Sequence, residues 1–419
     1  MLVASVSHDQ NSSTAVKSRA GVLDALRGFA LLGIVIINAQ SIFAVSGSIP
    51  QFTYPLSAAD RFLQDLILFF VESKFFTLFS LLFGIGFAIQ MQSASKANTK
   101  FFPRISRRLL ALLLFGALHI ALFWDGDILV IYAVTGMLLF FLRNISDKAI
   151  KRWVICLLAI PSALVIFGLA FTLVGRLDPG IAAGLSLADK ELASSFANLV
   201  ATQPAIFAAF ADAIPLRIES YFEVLPLLLS RIPTVLAMFL IGLYIGRKRI
   251  FADTDAWTPQ LRKWRNLGLS LGFGLALLVV LATKFLPPTS ALVALIQDQY
   301  LVGPLVAMGL ASGFALLYPR ISNSWSSRSF VLVGRMALTN YILQSVVLTA
   351  IAYAWGFGLA TKLSGYEVLA ITVGLYALQV AASSLWLRFF EFGPLEWIWR
   401  CITYFRLMPL TKSATSSEG

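Results

Sequence analysis

Ten stretches of predominantly apolar residues follow one another along this chain, each near the roughly 20 residues a helix needs to cross a bilayer. They fall at about residues 22–43, 73–92, 108–124, 127–143, 152–175, 225–246, 265–285, 300–318, 331–354 and 367–388. Over 419 residues the chain is 58% hydrophobic and 13% charged, against roughly 25% charged in a soluble domain. The expected fold class is therefore all-α, a polytopic membrane helix bundle of ten spans whose first partner is the lipid bilayer.

The formal charge of +12 needs no nucleic-acid partner, because its placement is a topology signal. With the N-terminus in the cytosol, 25 of the 33 Lys and Arg residues fall on the inner side and 8 on the outer. Inner basic excess is what orients membrane proteins, and both termini then come out cytosolic. Cys156 sits in an apolar run and Cys401 near the C-terminus, so neither a disulfide framework nor a thiol metal site is expected.

The expected organisation is a disordered cytosolic tail over 1–20, a five-span half over 21–175, an extracytoplasmic segment over 176–224, a second five-span half over 225–400, and a tail over 401–419. Residues 44–72 form an outer connection whose apolar "RFLQDLILFFVESK" either lies on the membrane or extends the second helix. In 176–224, helical apolar spacing broken at Pro204 and Pro215 predicts short amphipathic helices, with a cap over a cavity as the alternative.

Several spans carry polar stripes. In "LDALRGFALLGIVIIN", Asp24 lies three residues before Arg27, and Asn38 returns to the face of Arg27 eleven residues on, about 16.5 Å along the axis. Arg108 and His119 repeat that spacing in the third span. His119 precedes an outward turn, "WDGD", holding Asp125 and Asp127. It is the only histidine within a span, hence the strongest candidate for proton transfer near neutral pH; a structural histidine bonded to a neighbouring helix is the competing reading. Arg335, Asn340 and Gln344 line one face of the ninth span, and Gln379 and Ser383 one face of the tenth. Ser80, Gly84 and Gly86 suit close helix packing. In "GPLEWIWR", Glu396 and Arg400 are spaced for an ion pair on an interfacial helix. No P-loop, GxSxG elbow, HExxH or Cys/His metal set is present.

The blocks "LDALRGFALLGIVIIN", "KFFTLFSLLFGIGF", "GALHIALFWDGDILVIYAVTG", "MFLIGLYIGR", "GRMALTNYILQS" and "GPLEWIWR" resemble, in order, the motifs of the YeiB-like family of bacterial inner-membrane proteins. The opening "LDxLRGxA" is also similar to that of the transmembrane acyltransferase superfamily, which takes an acyl group from cytosolic acyl-CoA and acylates a sugar on the opposite side. In the heparan glucosaminide acetyltransferase of that superfamily the active histidine lies in the first outer loop. Here residues 44–60 contain none, so that role does not carry over.

What the resemblance implies is a transmembrane acyltransferase with acyl-CoA as donor, no metal, and an extracytoplasmic glycan or small hydroxylated acceptor. Arg27, Arg108 and Arg335 at cytosolic span ends would hold the donor's phosphates. His119 would take the acceptor's hydroxyl proton, oriented by Asp125 or Asp127, with Glu72 a further candidate base, and Asn38 would stabilise the oxyanion. A permease for a small metabolite and a non-catalytic membrane protein are the alternatives; the lack of Gly- or Pro-interrupted spans in matched halves speaks against the permease.

Overall fold

A computed structural model describes residues 3–43, 57–198 and 204–412. Residues 44–56 of the first outer connection and the end of the C-terminal tail lie outside the described residues.

The first five expected spans map onto helices α1 (Val3–Ile42), α2 (Ala58–Phe70), α3 (Lys74–Lys96), α4 (Phe101–Leu122), α5 (Leu129–Leu142) and α6 (Asp147–Val174). Helix α1 begins at Val3, where the sequence reads as a disordered tail, and its apolar part is Gly21–Ile42. The apolar stretch before the second span extends that helix: Ala58–Lys96 is long and apolar enough to cross, with a break at 71–73 between α2 and α3.

Helices α7 (Pro179–Asn198), α8 (Pro204–Phe207) and α9 (Ala213–Ser230) form the expected amphipathic segment, though α9 continues past it. The remainder comprises α10 (Ile232–Arg247), α11 (Thr258–Phe285), α12 (Pro288–Gln297), α13 (Gly303–Ile321), α14 (Trp325–Arg335), α15 (Ala337–Ala352), α16 (Gly365–Phe389) and α17 (Pro394–Tyr404). A π-turn over Asp298–Val302 joins α12 to α13.

Among the described residues, seven continuous stretches are long and apolar enough to span, and two bent pairs bring the number to nine. Each of the ten expected spans has a helical counterpart; the one outside those nine is the fourth, α5, a helix of 14 residues.

The bent pairs have local causes. Helices α9 and α10 meet at 53° at Arg231, where Pro233 can neither donate its amide nor tolerate the preceding turn. Helices α14 and α15 meet at 86° around Met336. There Glu396 accepts hydrogen bonds from the amides of Leu338 (2.6 Å) and Thr339 (3.1 Å), satisfying donors that a new helix start leaves open. Arg335 and Asn340 therefore belong to different helices. The Glu396–Arg400 ion pair expected within α17 does not form, because the carboxylate is taken up by these amides and the Thr339 hydroxyl, 2.6 Å away.

Close backbone contact organises the centre. A Cβ on Gly84 would run into the Phe239 carbonyl, and one on Gly242 would lie 2.8 Å from the Gly84 Cα, so α3 and α10 touch where only hydrogen fits. The polar stripes of the ninth and tenth spans bond to each other. Gln344 donates to Gln379 (2.8 Å), Gln379 to the Asn340 carbonyl (2.9 Å), and Asn340 to Ser383 (3.1 Å). All four side chains are buried, which makes this a ladder holding α15 to α16.

Candidate functional site

Among the described residues, one face of α1 lines two cavities in the bundle. The larger, about 530 Å³, takes Asp24, Arg27, Arg108, Arg335, Glu396 and Arg400 into its walls. The smaller, about 260 Å³, takes Asn38, Gln64, Glu72, Ser73, Trp124 and Arg231. The spacing read in α1 is realised: Arg27 opens into one cavity and Asn38 into the other. Ile34, Ile128 and Tyr341 line both and form the partition between them.

The larger cavity gathers the three expected arginines and adds a fourth, Arg400. Arg27 is paired with Asp24 at 2.7 Å on a partly exposed wall. Arg335 donates to the Glu391 carbonyl at 3.1 Å. The Arg108 guanidinium stacks 3.6 Å from the ring centroid of Trp399, whose indole N–H donates to the Arg108 carbonyl at 2.8 Å. Arg400 lies 4.1 Å from the Phe392 ring centroid. Arg27 and Arg400 both lie near enough to Arg108 to repel it, and no carboxylate among the described residues pairs with Arg108 or Arg400. Planar cations held on aromatic faces with free donors make a strong anion site. Gly86 also faces this space: a Cβ there would meet only an Arg27 nitrogen, at 3.7 Å. Its smallness leaves room in the cavity, whereas that of Gly84 serves packing.

His119 and Asp127 form a buried pair, Nδ1 to Oδ2 at 2.9 Å, with neither side chain exposed. Asp127 also accepts the Val130 amide at 2.9 Å, at the start of α5. With Nδ1–H donated to the carboxylate, Nε2 is left as the basic nitrogen, and it is buried without a hydrogen-bond partner. The imidazole lines neither cavity; it packs on Tyr341, with ring centroids 5.3 Å apart.

Asp125 is turned elsewhere. Its carboxylate accepts a short hydrogen bond from Ser220 on α9 and lies near Arg217. Burial pushes the Asp125 carboxyl above its ordinary range despite the Ser220 bond. Of the two aspartates in "WDGD", Asp127 orients the imidazole and Asp125 ties the turn to α9.

The smaller cavity sets Asn38 and Glu72, the latter named from the sequence only as a further candidate base, beside Arg231, which sequence reasoning left unassigned. Glu72 projects from the break between α2 and α3, where Ser73 adopts φ 60°. Arg231 enters from the bend between α9 and α10, its Cζ 5.5 Å from the Phe76 ring centroid. Behind them Lys74 bonds Asp298 of the π-turn at 2.8 Å and the Leu68 carbonyl at 2.8 Å, the ion pair almost wholly buried. The available signal was the cluster "VESKFF" inside an apolar run; its convergence with Arg231 and Asp298 depends on three helix interruptions distant in sequence. No group of three or more His, Cys, Asp or Glu side chains suited to a metal occurs among the described residues.

Stacked apolar helices around polar interior cavities define a multi-pass membrane protein. The chain belongs to the family that includes the uncharacterized protein YxaH of Bacillus subtilis (strain 168), with 30% identity over 417 residues, covering 95% of this chain and 98% of that protein. The uncharacterized protein YeiB of Escherichia coli (strain K12) is 28% identical over 407 residues, covering 91% of this chain and 95% of its own length. Residues 245–406 match the family described as "Protein of unknown function (DUF418)". No solved structure matches the chain.

Proposed function

We propose that this protein is a transmembrane acyltransferase of the bacterial inner membrane, moving an acyl group from cytosolic acyl-CoA to an extracytoplasmic hydroxyl. The observation that carries the reading is the pair of cavities in opposite halves of the bundle, one lined by four arginines and the other by Asn38 and Glu72, parted by Ile34, Ile128 and Tyr341. The excess of basic residues at the arginine end orients that cavity to the cytosol.

The residues fit the donor: Arg108 and Arg400 are cations without carboxylate partners, suited to phosphate oxygens. The thioester supplies an activated carbonyl and a thiolate leaving group. The acceptor hydroxyl would enter from the Glu72 side, and Asn38 would steady charge developing on the carbonyl oxygen. His119, held by Asp127, would receive the hydroxyl proton at Nε2 and return it to the departing thiolate. Tyr341, packed on the imidazole, would have to turn aside for that contact.

A permease is the second reading. It is favoured by the bends at Arg231 and Met336 and by the π-turn, since interrupted helices at cavities are a transporter feature. All three interruptions lie in the half over 225–400, so they weaken the argument drawn from matched halves without removing it.

The test is binding and turnover of acetyl-CoA by the purified protein. Acetyl-CoA at 100 times its dissociation constant should stabilise the fold by about 2.7 kcal/mol. Arg108→Gln, and Gly86→Leu, which fills the cavity, should weaken that shift while leaving the protein folded. No shift with acetyl-CoA, alongside solute counterflow in vesicles, would decide for the permease.

A further inference from the structure

The smaller cavity contains an unusual electrostatic arrangement. Glu72 and Arg231 both line it and lie within electrostatic reach of each other. They form no ion pair, and neither side chain has a hydrogen-bond partner among the described residues. The neighbouring charges pair with each other, Lys74 with Asp298 at 2.8 Å. An unpaired carboxylate and an unpaired guanidinium at membrane depth are each costly. Both project from chain interruptions, Glu72 from the break at 71–73 and Arg231 from the bend between α9 and α10.

We infer that this cavity binds a compact zwitterion, its ammonium on Glu72 and its carboxylate or phosphate on Arg231. The four charged groups Glu72, Lys74, Arg231 and Asp298 sum to zero, so a ligand carrying both signs leaves the site neutral. A ligand of one sign would add net charge to a buried space. A neutral polyol would leave both side chains without a charged partner. The volume, about 260 Å³, falls just below the range of drug-sized pockets and suits a small ligand. Asn38, which also lines the cavity, supplies an amide for the ligand's middle. The inference stands apart from acyl transfer, because its test contains no donor.

The shared chemistry admits a free metabolite or the headgroup of a lipid, and the experiment separates them. Full-length protein, delipidated in dodecyl maltoside, is titrated with glycine, β-alanine, 4-aminobutyrate, phosphoethanolamine and dihexanoyl phosphatidylethanolamine, reading the melting temperature. Ethylamine, acetate, inorganic phosphate and glycerol serve as controls. At least one zwitterion should bind tenfold or more tightly than every control. Response to the lipid alone assigns a headgroup site, and response to a soluble zwitterion assigns a metabolite site. Glu72→Gln and Arg231→Gln should each weaken the responding zwitterion at least tenfold. Equal response to zwitterions and controls, no response to any zwitterion, or unchanged binding in both variants overturns the inference. The wild-type comparison decides even where a variant fails to fold.

Discussion

At the scale of single residues, the two aspartates of "WDGD" are separated by their partners. Asp127 holds His119 at 2.9 Å, whereas Asp125 bonds Ser220. Under acyl transfer, His119→Gln, which lacks the basic ring nitrogen, should lose roughly 10²- to 10⁴-fold in turnover. Asp127→Asn should act on the same step, while Asp125→Asn should leave turnover near wild type and loosen α9. Single-turnover transfer assays on the three variants check this, and wild-type turnover in His119→Gln removes the residue from catalysis. The candidacy of His119 was legible because a histidine inside an apolar run stands out. Which aspartate serves it was not, since the two are two residues apart in one turn and only the fold aims them.

At the scale of elements, charges replace apolar contact where helices break. Lys74 at the start of α3 and Asp298 in the π-turn are buried together. Lys74→Met strands the aspartate and should cost about 3–5 kcal/mol, whereas Lys74→Met with Asp298→Asn should recover most of that loss. Chemical unfolding of the single and double variants measures the coupling, and an additive double variant would dissolve the pair. A second tie joins α7 to the start of α12. Asp189 accepts from the Thr289 amide (2.8 Å), the Thr289 hydroxyl (2.9 Å) and Arg176 (2.8 Å). Burial alone would raise the Asp189 carboxyl, but these bonds outweigh it and hold the group below its ordinary range. A carboxyl lowered by folding stabilises the fold above its unfolded value, about 3.9, and that contribution is lost as pH falls through the folded value. Asp189→Asn should therefore melt below wild type at pH 7, the gap closing as the pH is taken below about 4. A gap independent of pH would mean the carboxylate contributes nothing through its charge.

At the scale of the whole molecule, the arginine cavity and the Glu72 cavity occupy opposite halves, and under the proposed orientation the first faces the cytosol. Reporter fusions after Lys96 and after Arg176 should read inside and outside, respectively; the reverse pattern would invert the proposed direction of transfer. The sequence by itself determined the class, where the apolar helices lie and the shared face of Arg27 and Asn38, because membrane length and helical period are local properties. It also singled out three of the four arginines, since each stands at the end of an apolar run. Only the tertiary structure decided that Asn340, Gln344, Gln379 and Ser383 bond one another, and that Glu396 starts α15 instead of pairing with Arg400. It alone brought Glu72 and Arg231 to one cavity, with the Lys74–Asp298 pair behind them. The physical reason is that a buried polar group's role is set by the partner it meets, and Lys74, for example, meets its partner Asp298 across 224 residues.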